Sequence, residues 1–322
     1  YWVKAGSVPG GTDYGYFAGG TVPSGVSTVD RVDYSNDTPT TPTKGPLSSA
    51  RTTPGATGNI NYGYFGGGSI PSPATVSSVD RIDYSSDTST AATKGPLSVA
   101  RFAPTATGNA SYGYFGGGSS PSKVSTVDRV DYSSDTPTAT AKGPLNAVTT
   151  MLAATGNTSY GYFGGGYPGP KSTVDRVDYS NDTVAATAKG PLTVAKGEGF
   201  AGTSNRALAS QIKLKGLTNV LSEIQGTLNS NTTGYAYWGG GFPANTSVDR
   251  VDYSNDTATA SVKGSTTSAR YKLAGVGNQK YGYFGGGVNG PGSTVSTVDR
   301  LDYSNDSSVM APKGPLSVVR KG

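Results

Sequence analysis

Short apolar runs closed by glycine recur along this chain at a nearly constant interval. The run Tyr62-Gly-Tyr-Phe-Gly-Gly-Gly68 returns with small changes from Tyr14, Tyr112, Tyr160, Tyr235 and Tyr281. Each copy is followed by an alternating segment, Val29-Asp-Arg-Val-Asp-Tyr-Ser35 in the first, with counterparts from Val79, Val127, Val174, Val248 and Val298. Successive side chains of an extended chain point to opposite faces, so Val29, Arg31 and Asp33 take one side while Asp30, Val32 and Tyr34 take the other. Neither side is wholly polar, which predicts a strand covered on both faces, with Asp and Arg paired across the seam. The aromatic run reads as a strand running into a turn, and Ser35 to Thr38 as a turn closed by Asn and Asp side chains. A third strand is expected over Thr40–Lys44, closed by Gly45-Pro46. A fourth is expected from Arg51 to Ala56, with Gly58-Asn59 turning into the next aromatic strand.

Six copies at a period of about 49 residues, each predicting four strands, point to stacked or radially arranged repeats. The expected fold is all-β: a six-bladed propeller of four-stranded antiparallel blades, with one short helical insertion. The blades are expected at about 1–47, 48–97, 98–145, 146–192, 193–264 and 265–322, and together they behave as a single domain. The distance from the Lys of each Lys-Gly pair to the next aromatic run is eighteen residues in every copy but one, where Lys189 and Tyr235 are separated by 28 residues more. Ala201-Gly202-Thr203 continues as a strand, which places the insertion near 205–232 and on the face opposite the variable loops described below. The alternative alignment takes Gly226-Thr227 as the strand and moves the insertion to the other face. Leu217, Leu221, Ile224 and Leu228 recur there at helical spacing and form a candidate docking helix.

The order of aromatic strand ending in glycines, Val-Asp-Arg-x-Asp-Tyr, an Asp-Thr turn and Pro-Leu-Ser-x-Ala-Arg resembles the kelch repeat over essentially the whole chain. One departure stands out. The Trp that kelch blades carry shortly after the Asp-Thr turn is replaced by small residues such as Pro39, Ala91 and Thr138, which implies lighter packing between blades. The phrases Asp-Tyr-Ser-Asn-Asp-Thr and Lys-Gly-Pro-Leu-Ser also resemble the kelch-like repeat proteins of marine cyanophages and related tailed phages. That resemblance implies a virion or tail-associated component, localised to the extracellular particle or otherwise secreted or at a cell surface, with other virion proteins or a host-surface glycan or protein as partner and multiple copies in an assembly.

Composition narrows the chemistry. The chain has no Cys and no His, which removes thiolate catalysis, the commonest general base and the commonest metal ligand. The net charge of +5 comes without any basic run, so no phosphate-tracking nucleic-acid surface is expected. No stretch is apolar enough to span a bilayer, and no membrane insertion is expected. No basic-then-apolar segment opens the chain, and a start at Tyr1 gives the expectation of a processed product or a piece of something longer. Eighteen of the nineteen Asp residues lie in equivalent places in the repeat, where a catalytic acid would break the symmetry. The alternating Arg favours salt bridges over repeated Ca²⁺ sites. The expectation is therefore no catalytic residue, no cofactor and no metal. The copper ligands of oxidase-like kelch enzymes are missing, and the only two Glu residues, Glu198 and Glu223, lie in or beside the insertion.

Between the triple glycine and the next Val-Asp-Arg the loop varies from six residues (242–247) to ten (288–297). These loops all leave the same face of a propeller, and loops on a rigid scaffold are where binding usually resides. The first loop residue is Thr21, Ser69, Ser119 or Val288 in four copies but Tyr167 and Phe242 in the other two, with Lys123 and Lys171 nearby. Tyr167, Lys171, Phe242 and Lys123 are the candidate binding-face residues. The expected function is a non-enzymatic structural or binding module. The competing readings are a secreted glycan-active enzyme of the sialidase or mutarotase kind and an intracellular kelch scaffold.

Overall fold

The computed structural model describes residues 14–22, 24–71, 74–204, 234–290 and 292–321. Its backbone forms six antiparallel blade sheets in a closed ring, joined in chain order, with two-stranded hairpins in the loops of the first and third. The second sheet is representative: Gly55–Gly58 lies nearest the axis, followed outward by Tyr62–Gly66, Val79–Asp83 and Ala92–Lys94. Five blades have these four strands, and the fifth blade also takes Val288–Asn289 of the next at its edge. The described part of the first has three, Tyr14–Ala18, Val29–Asp33 and Thr43–Lys44. In the register, Tyr62 stands opposite Asp83, Tyr64 opposite Arg81 and Phe65 opposite Asp80.

Two expectations about strands need correcting. The run expected from Arg51 to Ala56 is a strand only from Gly55 onward; Arg51 instead crosses between blades, bridged to Val26. The cause is Arg51 itself, whose guanidinium is buried against Asp80 of the next blade and so fixes the preceding chain as a crossing segment. The outer strand expected over Thr40–Lys44 is shorter, Thr43–Lys44, because Thr41 is drawn away to the Pro315 carbonyl of the neighbouring blade at 3.0 Å.

The core is divided. Six apolar clusters form, one in each seam between blades, and each draws residues from two copies. Tyr16 and Val29 pack with Phe65 and Ile82 of the next blade, whereas Phe17 and Val32 pack with Tyr283 and Val298 of the previous one. The strand that reads Val on both sides is thus buried on both sides, as its alternation predicts.

Glycine sets how closely the blades approach. A Cβ on Gly66, the first of the triple glycine, would lie 2.8 Å from the Phe115 ring of the next blade. A Cβ on Gly143 of a Lys-Gly pair would lie 1.7 Å from the Val184 carbonyl oxygen, and Gly143 N donates to the Asp182 carbonyl at 2.8 Å. Ala, the smallest residue with a side chain, therefore already collides with backbone there.

The ring closes with the contacts that build its other seams. Gly314 N donates to the Asp37 carbonyl at 2.8 Å, Arg320 pairs with Asp30 at 2.6 Å, and Lys321 is bridged to Thr21. In the fifth blade Ala201–Ser204 pairs in register with Tyr235–Gly239, Ala201 opposite Gly239. The inserted segment therefore joins the two innermost strands and leaves from the face opposite the variable loops, which rules out the alternative alignment. The candidate docking helix, Leu217, Leu221, Ile224 and Leu228, lies outside the described residues.

Candidate functional site

The eighteen repeated carboxylates perform three structural tasks. The last Asp of each copy accepts three donors from the blade before it. Asp182 takes Tyr114 Oη at 2.9 Å and Arg129 at 2.7 Å on one oxygen, and Lys142 Nζ at 3.2 Å on the other. The same trio meets Asp37, Asp87, Asp135, Asp256 and Asp306. Burial would raise the Asp182 pKa, but the Tyr114 hydroxyl, Lys142 and Arg129 outweigh it and hold the carboxyl below its ordinary range. Tyr114 is driven the other way: burial first, then the hydrogen bond to Asp182, push its phenol well above the ordinary value. Each such Tyr also stacks on the Tyr of the next blade's Asp-Tyr-Ser, at centroid distances of 4.6 to 5.1 Å.

The middle Asp caps its own turn. Asp131 accepts from Ser133 N at 2.9 Å and Ser133 Oγ at 2.7 Å, and the hydroxyl lowers its pKa. The first Asp of the stretch holds the segment crossing from the blade before: Asp128 accepts from Ser98 N, Ser98 Oγ and Arg101. The Asp–Arg pairing read from the sequence is thus realised, and the repeat supplies the same kinds of partner throughout except at Asp175, met among the described residues by Asn146 alone, and Asp249, met by Thr193 and Lys196.

On the variable-loop face the first loop residue pairs with the crossing segment beside it in five blades, as Thr52 with Ser69, Phe102 with Ser119 and Thr150 with Tyr167. Tyr167 and Phe242 stand at this first loop position and remain open to water, at 42% and 46% exposure, while the repeat aromatics are packed into the seams. Lys123 Nζ sits 4.9 Å from the Tyr167 ring centroid, a cation–π contact that joins loops of neighbouring blades. Phe242 meets Tyr271 edge-on at 5.4 Å. The Gly197 amide donates to the Phe242 carbonyl at 2.9 Å, and the adjoining Lys196 pairs with Lys171, so one crossing segment ties the two aromatic loops together. Lys171 does not reach Tyr167's ring; its ammonium lies 3.5 Å from the Val148 carbonyl oxygen. Glu198 pairs with Lys272 at 3.4 Å, and Glu223 lies outside the described residues.

Comparison with known proteins agrees with this geometry. Among solved structures 336 chains match, and one of them, described as "Structure of YjhT", superposes with a TM-score of 0.63 over 94% of this chain and 95% of its own, at 11% identity. The chain is a six-bladed β-propeller. At that identity the likeness speaks for the fold alone. No family model matches the sequence, and no curated protein does.

One symmetry-breaking residue of the propeller escaped the sequence reading. Thr149 stands where the other crossing segments carry Arg51, Arg101, Lys196, Arg270 and Arg320. The signal was legible, since Ser-x-Ala-Arg becomes Asn-Ala-Val-Thr at 146–149, but its meaning depends on knowing that the arginine reaches an Asp in the next blade.

Proposed function

We propose that this propeller is a non-catalytic binding module whose ligand-facing surface is the variable-loop face around Tyr167, Phe242 and Lys123. One observation carries the reading: the two aromatic residues that replace a small or aliphatic residue at the first loop position are both exposed, both on that face, and both tied by backbone hydrogen bonds to a crossing segment. Flat aromatic rings beside an ammonium group suit the apolar faces and hydroxyls of a sugar ring, or the polar surface of a protein. The repeated carboxylates favour binding over catalysis, because the last Asp of every copy is engaged by the same Tyr, Arg and Lys donors and the middle Asp by the Ser of its own turn. The finer assignment, a virion or tail-associated protein that decorates a particle or contacts a host-surface glycan or protein, is supported by the wording of the kelch-like repeat.

The test is binding of the purified chain to a glycan array and to whole bacterial cells, with Tyr167→Ala and Phe242→Ala alongside. Each truncation should weaken binding about tenfold, as loss of a central aromatic contact does. Binding that survives both substitutions, or failure to bind any glycan or cell surface, would remove the proposal.

A further inference from the structure

Five of the six seams place a positive charge in the same oxygen-lined position, and one does not. Arg51 donates to the Gly67 and Ser78 carbonyls at 3.3 and 3.0 Å and to Asp80 at 3.1 Å. Arg101, Arg270 and Arg320 repeat this arrangement. Lys196 reproduces it with an ammonium group: Nζ lies 3.0 Å from Gly240 O, 3.3 Å from Ser247 O and 3.5 Å from Asp249. Between the third and fourth blades the residue is Thr149, too short to reach, and its hydroxyl turns to the Tyr167 carbonyl at 3.3 Å.

The acceptors remain. Asp175 takes Asn146 N at 3.0 Å and Asn146 Nδ2 at 2.7 Å, and no ion pair forms with it among the described residues. The neighbouring cation, Lys171, is engaged at the Val148 carbonyl. Asp175 is also accessible. Its counterparts Asp30, Asp80, Asp128, Asp249 and Asp299 are fully buried (0%), whereas Asp175 is half-buried and Thr173 beside it is exposed. A carboxylate beside two backbone carbonyls, with no cation of its own, favours a positive guest. In the occupied seams the same acceptors hold nitrogen donors at hydrogen-bonding distance, with Lys196 Nζ 2.8 to 3.5 Å from the oxygens around it.

We propose that the seam between the third and fourth blades is a receptor for a nitrogen cation, a primary ammonium or guanidinium group that enters beside Thr149 and is held by Asp175 and the Gly165 and Thr173 carbonyls. The molecule displays the bound form five times in its own seams. The group can belong to a free small molecule or to a Lys or Arg tip of a partner, and the shared chemistry is an N–H cation.

The experiment is thermal unfolding of the full chain at constant ionic strength with methylguanidinium or methylammonium, against tetramethylammonium, which has the same charge and no N–H donor. At tenfold excess over the dissociation constant the N–H cations should raise Tm by on the order of 2 °C relative to the control. Asp175→Asn should abolish that difference. Thr149→Arg should abolish it too while raising the Tm of the free protein, and Thr149→Lys provides the same check should the arginine fail to fit. Equal shifts with all three cations, or an N–H-specific shift retained in Asp175→Asn, overturns the proposal. So does a shift that appears only in Lys171→Ala, since Lys171 would then be the native occupant.

Discussion

Asp182→Asn tests whether the Tyr–Arg–Lys–Asp seam holds the blades together. Asn keeps the volume but offers one acceptor oxygen and turns an N–H group toward Lys142 or Tyr114. The bond from the buried Tyr114 hydroxyl to a carboxylate contributes about 1.5–2 kcal/mol. Arg129, a quarter exposed, and Lys142 add about 1 kcal/mol together after solvent screening. The expected loss is therefore about 3 kcal/mol, at the lower end for breaking a buried pair. With about 2.1 cal/mol/K of unfolding entropy per residue, 322 residues turn this into a fall in Tm of about 4–5 °C. Denaturant and thermal unfolding followed by circular dichroism measure it. Tyr114→Phe alone should cost about 1.5 kcal/mol, yet almost nothing in the Asp182→Asn background, because the two share one bond. The pH dependence has a definite sign. The folded pKa of Asp182 is lowered, so its contribution is complete above the unfolded carboxylate value of about 3.9 and disappears as pH falls through the lower folded value. The gap between wild type and Asp182→Asn should hold above about pH 5, begin to narrow near about pH 4 and close only below the lowered folded value. A loss below about 1 kcal/mol, strict additivity of the two substitutions, or a gap indifferent to acid would refute the reasoning.

Alkali should also unfold the propeller. Tyr16, Tyr64, Tyr114, Tyr162, Tyr237 and Tyr283 all have phenol pKa values raised by burial and then by their Asp partners, so stability is complete below the unfolded value of about 10 and falls above it by up to about 1.4 kcal/mol per pH unit for each. Tyrosinate absorbance should rise together with loss of structure, and a smooth titration with the fold intact would contradict this. Gly143→Ala should open its seam and lower Tm more than any single polar substitution, whereas Gly290→Ala, whose Cβ meets nothing within 4 Å, should leave Tm unchanged; equal effects would discredit the close-approach argument. Thr53 has φ of 50° at the entry to its inner strand, where the fifth blade has Gly199 at 57°, so Thr53→Gly should stabilise by about 0.5–1 kcal/mol in urea unfolding, and destabilisation would be the contrary result.

The repeat by itself determined the number of blades, the aromatic and Val-Asp-Arg strands, the turns between them and the face from which the variable loops leave. Those features are local: side-chain alternation, glycine and Asx turns act within a few residues, so the chain states them in order. Tertiary structure decided what each conserved-looking position of the copy is for. Tyr114, Arg129, Lys142 and Asp182 come from two copies and converge only when blades lie side by side, and the Lys-Gly glycine is required by a backbone carbonyl of the following blade. Thr149 shows the limit most sharply. In the sequence it is one small change in a crossing segment; in the ring it removes the charge that would meet Asp175, 26 residues further on, because closing blades around an axis makes neighbours of residues that no local pattern relates.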